Sequence, residues 1–518
     1  MNKSNNTKLF INLVASLIVF VVQFFINFWL SPFIIEQLGE NAYGFISLAN
    51  NFTQYVTLLT IAINSMANRF ISIEYNKGNS KEANGFFASV FWINVIISLL
   101  VLIISSILII NIENILNIES TLLIDVKITF ALSFCNLIIS FLSTCYISVT
   151  FVTNRMDLHA YTQIISNLLK VFVIVWAFII FKPRIFFVSL GTLCATIWIL
   201  VTYIFIKKKL IPKFSISIKY FNIQKIIILS KSGLWLLISN ISSLLLNGMD
   251  LLIANLLISQ IAMGRLSVSK QLPNAIGGVL GFLSNIFAAS FTILVAQNNK
   301  KSIINEVSVT CRILGTFLTV PFSGIIVYGI DFFKLWLPQS IYTDATITQI
   351  YILMLLTLSN VIVNAYMYSI HSLFIALNKV KGYSIMILIS SIISIITTIV
   401  LTYFTPLGVY AIAGTSTIVL SIVNLFFVPL YAEHIIEVPI FTFLRTIFKN
   451  YVALSIIILF FYYFKQFLLL DSWIEFTISI GIIGSIGYIL SGLILWNRKE
   501  KIHIYYLIKK RLERNDYE

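Results

Sequence analysis

Two lysines and one aspartate stand where long apolar runs leave least room for charge. In this 518-residue chain Lys170 lies near the middle of the run 160–181, Asp250 in the outer half of 232–257 and Lys270 near the outer end of 268–296. A charged side chain at mid-bilayer costs roughly 2.5–3.5 kcal/mol on insertion scales, so each needs a partner, a wet surface or an escape route. Lys170 reads as a cation that lines a cavity or closes a structural ion pair. Lys270 can extend its stem to the interface, and Lys127 has the same escape. Asp250 either binds a coupling ion or proton, or neutralises Lys270. His371, in the inner third of 350–377, is a hydrogen-bonded packing residue or a proton carrier. Arg69 and Arg265 sit near the ends of neighbouring runs. An anionic group would be held by such donors, because charge-assisted hydrogen bonds are short and strong.

Amides recur beside these charges at helical spacing. Asn12, Ser16, Gln23 and Asn27 share one line; Asn50, Gln54, Thr57, Asn64 and Asn68 share another. Asn240, Ser243, Asn247 and Asp250 form a third, and Lys270, Asn274, Gly277, Gly281 and Ser284 a fourth, with Pro273 as the expected kink. Asn360, Asn364 and His371 form a fifth. Residues three and four apart lie on one helix face, and a lipid-facing face does not hold amides cheaply. Each amide taken alone reads first as an interhelical tie; the pattern as a whole reads as the lining of a wet cavity.

The elements that must carry these residues are transmembrane helices. The chain is 59% apolar and 11% charged, against about 45–50% and 25% in soluble domains. That excludes a soluble enzyme, a nucleic-acid-binding protein and a disordered chain, despite the net charge of +15. Apolar runs of about 20 residues exclude a β-barrel, whose strands alternate. Fourteen spans are expected between residues 9 and 496. With the N-terminus cytoplasmic, 27 of the 35 Lys and Arg fall on the cytoplasmic side, 5 outside and 3 within spans, so both termini are expected inside. The first run is too long for a signal peptide and lacks a cleavage site. The four cysteines lie in or beside apolar runs, and no disulfide or metal site is expected. No loop is long enough to form a domain, and no P-loop is present; an enzyme is not expected.

The Lys-rich stretch 207–231 divides the chain into six spans, six and two. The expected organisation is a six-helix lobe over 1–206, a basic linker over 207–231, a second six-helix lobe over 232–431, two further helices over 432–496 and a basic tail over 497–518. The run Tyr43-Gly44-Phe45-Ile46-Ser47 matches Met263-Gly264-Arg265-Leu266-Ser267 at a shift of 220 residues. A six-span offset makes the repeats parallel, a layout that usually flanks a central cavity.

The segments Leu38-Gly39-Glu40-Asn41-Ala42-Tyr43-Gly44-Phe45, Asn64 to Glu74, Lys77-Gly78-Asn79 with Asn84, and Asn154-Arg155-Met156-Asp157-Leu158 together resemble the bacterial polysaccharide exporters of the Wzx type, the O-antigen and capsule flippases. Their superfamily also holds multidrug extruders and the lipid II flippase, and the 6+6+2 layout fits across essentially the whole chain. The resemblance implies an oligosaccharide repeat unit on undecaprenyl diphosphate as substrate, alternating access between two lobes, and a proton or sodium gradient in place of any cofactor. It implies the bacterial cytoplasmic (inner) membrane, with membrane lipids, a polysaccharide polymerase and glycosyltransferases as partners and no nucleic acid. Lys170, Arg69, Lys270 and Arg265 are then the candidate cations for the diphosphate. Gln23, Asn27, Asn50, Gln54, Asn64, Asn240, Asn247, Asn274 and Asn364 are the candidate polar lining, and Asp250 and His371 the candidate coupling groups. The arginines that lipid II flippases carry in the first span are missing here, which argues against lipid II. A multidrug or cation extruder of the same fold is the competing reading; the first, second, fourth and fifth spans hold no mid-membrane carboxylate to support it.

Overall fold

The computed structural model describes residues 3–501, apart from 297–299, 378, 469 and 499; the side chains of 3–13, 16, 282–290, 292–293 and 296 are not described. Asn12, Ser16 and Ser284 therefore lie outside the described side chains, as does the basic tail from 502 onward. Every described element is helical, with no strand. In lipid a helix satisfies its own backbone groups, and long apolar runs leave no other solution.

Among the described residues, 12 helices are long and apolar enough to cross a membrane. The first of these contains two of the expected spans. Helix α1 (Lys3–Asn76) is 74 residues long and is interrupted at Gly39, whose φ of 84° suits a residue without Cβ. The expected eighth span, 268–296, is helical as α10 (Gln271–Ala296), and a short preceding helix, α9 (Gln260–Ser269), ends just before Lys270. The break precedes Pro273, which has no N–H to bond the carbonyl of Ser269.

The chain forms two compact units. Unit 1 comprises Met1–Val268 and Ile387–Ile412. It holds α1, α2 (Ser80–Ile110), α3 (Ile112–Ile115), α4 (Leu123–Val152), α5 (Met156–Ile180), α6 (Phe186–Leu210), α7 (Ile223–Asn247), α8 (Asp250–Leu257) and nearly all of α9. The 207–231 stretch, expected between lobes, is inside this unit. Its core joins Ile71, Phe87, Val149, Tyr203, Phe214 and Leu229, drawn from α1, α2, α4, α6, the linker and α7.

Unit 2 comprises Ser269–Met386 and Ala413–Glu518. It holds α10, α11 (Lys300–Trp336), α12 (Asp344–Ala376), α15 (Val428–Ile436), α16 (Thr442–Lys465) and α17 (Trp473–Leu495). Helices α13 (Val380–Phe404) and α14 (Val409–Ile422) are shared between the units, and a π-helical turn, Val423–Phe427, joins α14 to α15. The last two helices pack on α11 through Val320, Tyr328, Ile457, Phe461 and Ile483. Polar contacts pin both ends of that seam. Lys465 pairs with Asp331 at 2.5 Å and donates to the Val327 carbonyl; Arg312 pairs with Glu500 at 2.6 Å. Beside Arg312, Asn450 donates to the Cys311 carbonyl at 3.0 Å. The buried carboxylate of Glu433 accepts from the backbone N–H groups of Phe441 and Phe443, capping the start of α16.

Candidate functional site

Lys170 is the fifteenth of the 25 residues of α5. One turn earlier Ser166 donates to the Ala195 carbonyl at 3.3 Å, tying α5 to α6. At Gly191 the α6 backbone passes close to the Lys170 carbonyl, and an added Cβ would stand 3.0 Å from it. Helix α5 is thus held on α6 and packed beside α1. The Lys170 side chain is half-buried and makes no hydrogen bond or ion pair with any described residue. A cation so placed is stable only beside water or an anion. Arg69, near the end of α1, is exposed and likewise makes no ion pair among the described residues.

The expected lining divides into two kinds of amide. Gln23, Asn27, Asn50 and Gln54, all on α1, are exposed. In unit 2 Asn274 is exposed as well. Exposed amides on membrane-spanning helices require a wet surface. Asn64 belongs to the other kind. It exchanges amide hydrogen bonds with the buried Asn94 of α2, and Asn94 also donates to the Phe141 carbonyl on α4 at 3.1 Å. That is an interhelical tie. Asn240 donates to the Leu236 carbonyl at 2.8 Å and Asn247 to the Ser243 carbonyl at 3.2 Å, each within α7.

Asp250 opens α8 and is 7% exposed. A break at Gly248-Met249 separates it from α7, and the Gly248 carbonyl accepts from Asn51 and Tyr55 of α1 at 2.9 and 2.6 Å. The start of a helix favours a negative charge. Arg265 faces Glu40, with Nε 3.3 Å from Oε1, so a carboxylate holds it in unit 1. Lys270 occupies the turn between α9 and α10 and is half-buried.

In unit 2, Asn364 donates to Asn360 Oδ1 at 2.7 Å and accepts from Asn424 at 3.1 Å. Asn424 lies in the π-helical turn, where one extra residue widens the helix. His371 stacks near Tyr383, with ring centroids 4.6 Å apart. No group of three or more His, Cys, Asp or Glu that could hold a metal occurs among the described residues.

Several polar groups escaped the sequence reading. Asn94 lies in a run otherwise read as apolar, and its only sequence signal is that one amide. Arg312, assigned to a loop, is 8% exposed and paired. Partial burial opposes ionisation of its partner Glu500, but the hydrogen bonds from Arg312 and Asn497 outweigh it and hold that carboxyl below its usual range. Lys225, counted as a topology signal, is buried against Glu82 and the Phe86 ring.

The helical spans define a polytopic membrane protein. No family model matches the chain. Along 428 residues it is 27% identical to the uncharacterized membrane protein EpsK of Bacillus subtilis (strain 168), covering 83% of this chain and 84% of that one. Its fold is shared with two kinds of solved transporter. An inward-facing multidrug resistance MATE family transporter of the MOP superfamily superposes with a TM-score of 0.66 at 9% identity, over 82% of this chain and 98% of that one. The lipid II flippase MurJ, inward closed, superposes with a TM-score of 0.65 at 16% identity, over 93% and 97%.

Proposed function

We propose that the chain is a transporter, not an enzyme, which moves an undecaprenyl-diphosphate-linked oligosaccharide from the cytoplasmic to the outer leaflet for surface polysaccharide synthesis. The observation that carries this is Lys170: a half-buried cation in mid-helix with no described protein partner. A diphosphate supplies the missing counter-charge, and its oxygens can accept hydrogen bonds from the three ammonium N–H groups. Arg69, exposed on α1, would take the remaining phosphate oxygens as the headgroup enters from inside. The exposed amides Gln23, Asn27, Asn50 and Gln54 replace water around sugar hydroxyls, each offering a donor and an acceptor. The isoprenoid tail remains in lipid throughout.

The cycle requires access to alternate, with the two repeats, related by an axis along the membrane normal, rocking against each other. One cation moving inward releases about 2.3 kcal/mol per 100 mV. Asp250 and His371 are the groups assigned to that coupling, with a proton or sodium ion as the driver. The resemblance to the exporters supports the bacterial cytoplasmic membrane, and the distribution of positive charge supports both termini inside. Glycosyltransferases would supply the substrate and a polymerase would consume it.

The competing extruder has less support. The lipid II flippase matches 93% of this chain and the multidrug transporter 82%, so the flippase accounts for more of the layout. The deciding experiment is complementation of a bacterial strain that lacks its repeat-unit flippase. Restored surface polysaccharide, with loss of the lipid-linked sugar accumulated inside, is expected. Drug resistance without restored polysaccharide would replace this reading with the extruder.

A further inference from the structure

From the last turn of α6 into the first turns of α7, residues 207–231 contain seven lysines and no carboxylate. This stretch is not a loose tether. Phe214 is buried in the unit 1 core, its ring 5.4 Å from that of Phe87 and 6.0 Å from that of Tyr75. Burial of such a ring contributes about 1.5–3 kcal/mol. Three side chains of α2 hold the backbone on either side of a short 3-10 turn, Ile218–Tyr220. Asn84 accepts from the Ser215 N–H at 2.7 Å, Trp92 donates to the Ile216 carbonyl at 2.7 Å, and Ser89 accepts from the Asn222 N–H at 2.9 Å. Lys225 closes the segment on Glu82 at 2.8 Å.

These anchors present the wrong residues for an aqueous loop. Ile218 is 64% exposed, Tyr220 40% and Ile223 56%. Around them Lys208, Lys209, Lys213 and Lys219 are exposed and make no ion pair with any described residue. The apolar tips and the ammonium groups are displayed together, at the junction of two candidate membrane helices that end at Leu210 and begin at Ile223.

We propose that residues 208–223 form a rigid docking platform for anionic phospholipid headgroups, with Ile218, Tyr220 and Ile223 inserted at the acyl boundary and the four lysines on the phosphates. The partner is chosen by charge complementarity: cations are attracted to an anionic leaflet, and apolar tips add buried area. A flexible linker would lose entropy on docking. Here α2 has already fixed the backbone, so that loss is small. The proposal does not depend on what the chain transports.

The test is lysine acetylation, read residue by residue by mass spectrometry, on the full chain in vesicles of pure phosphatidylcholine and in vesicles with phosphatidylglycerol in both leaflets. At low salt, acetylation of Lys208, Lys209, Lys213 and Lys219 is expected to slow about fivefold or more with phosphatidylglycerol, and the difference to collapse at high salt. Ile218→Ser combined with Ile223→Ser should cut that protection at least twofold while thermal unfolding in detergent stays unchanged. Equal acetylation rates in the two vesicles would overturn the proposal. So would protection that arises only on adding cytosolic protein, which would make the face a protein-docking surface.

Discussion

Ser267 donates its hydroxyl to Ser47 across 2.5 Å, and the two serines stand 220 residues apart, the same shift that relates the two sequence repeats. Gly44 and Gly264 obey the same rule: a Cβ on Gly44 would lie 3.0 Å from the Gly264 Cα. The second half of α1 therefore meets α9 through matching positions of the repeat, reinforced by Glu40 and Arg265.

If this crossing must part during transport, locking it stops the cycle. Ser47→Cys with Ser267→Cys, with native Cys135 and Cys194 replaced, is expected to lose transport on oxidation and recover it on reduction. Either single variant should be insensitive to oxidant. Undiminished transport in the oxidised double variant, with the crosslink verified by mass spectrometry, would show that the crossing stays closed. Gly264→Ala places a Cβ 2.6 Å from the Glu40 carbonyl. Such overpacking costs about 1–3 kcal/mol, and thermal unfolding should register it.

Lys170→Met should abolish surface polysaccharide while the protein remains at normal levels in the membrane. Lost charge-assisted hydrogen bonds correspond to about 1.5–3 kcal/mol, or roughly 10–100-fold in substrate affinity. Lys170→Arg keeps the charge and should retain part of the transport. Normal export in the methionine variant would remove Lys170 from the site.

The two kinds of amide should separate in mutagenesis. Asn94→Ala breaks the tie to Asn64 and Phe141 and should lower stability by roughly 1–2 kcal/mol. Asn50→Ala and Gln54→Ala should leave thermal unfolding unchanged and reduce transport. A loss of stability in the latter pair would make them packing residues.

The Arg312–Glu500 pair predicts an acid-sensitive attachment of the last helices. The Glu500 carboxyl lies below its usual range in the folded chain. Its stabilising contribution is thus complete above the ordinary glutamate range and is lost as pH falls through the lowered folded value. Glu500→Gln should remove that part of the acid-dependent loss. It should also destabilise the protein near neutral pH by about 1–3 kcal/mol, because Arg312 stays buried without its counter-charge; partial exposure of Glu500 keeps the figure below that of a fully buried pair. Thermal unfolding across an acid titration, compared with wild type, measures both effects.

Much of the fold was legible in the chain because apolar length is a one-dimensional signal. The repeat at a shift of 220 residues was legible for the same reason, and its mates Ser47 and Ser267 prove to touch. Interruptions were harder. Gly39 lay in a short polar stretch and was read as a loop between spans, yet helix resumes immediately beyond it. The site was legible only as faces. Spacing places Asn64 and Gln54 on one line, but no spacing rule shows that Asn94, 30 residues later, consumes the first and leaves the second exposed. Arg265 and Arg312 show the same limit: a charge near a span end is visible, whereas its carboxylate lies 225 or 188 residues away.

Those separations bear on how the protein is made. Helix α11 enters the membrane carrying Arg312 and Asp331, and their partners Glu500 and Lys465 emerge from the ribosome only later. The gap is 188 residues for the first pair, and Lys465 must also travel back 138 residues to reach the Val327 carbonyl. During that interval neither group has the partner that it meets in the folded chain. A chain that ended before α16 would leave both of these α11 groups without those partners. The final two helices thus act as the closing step of biogenesis, whatever else they do in the mature protein.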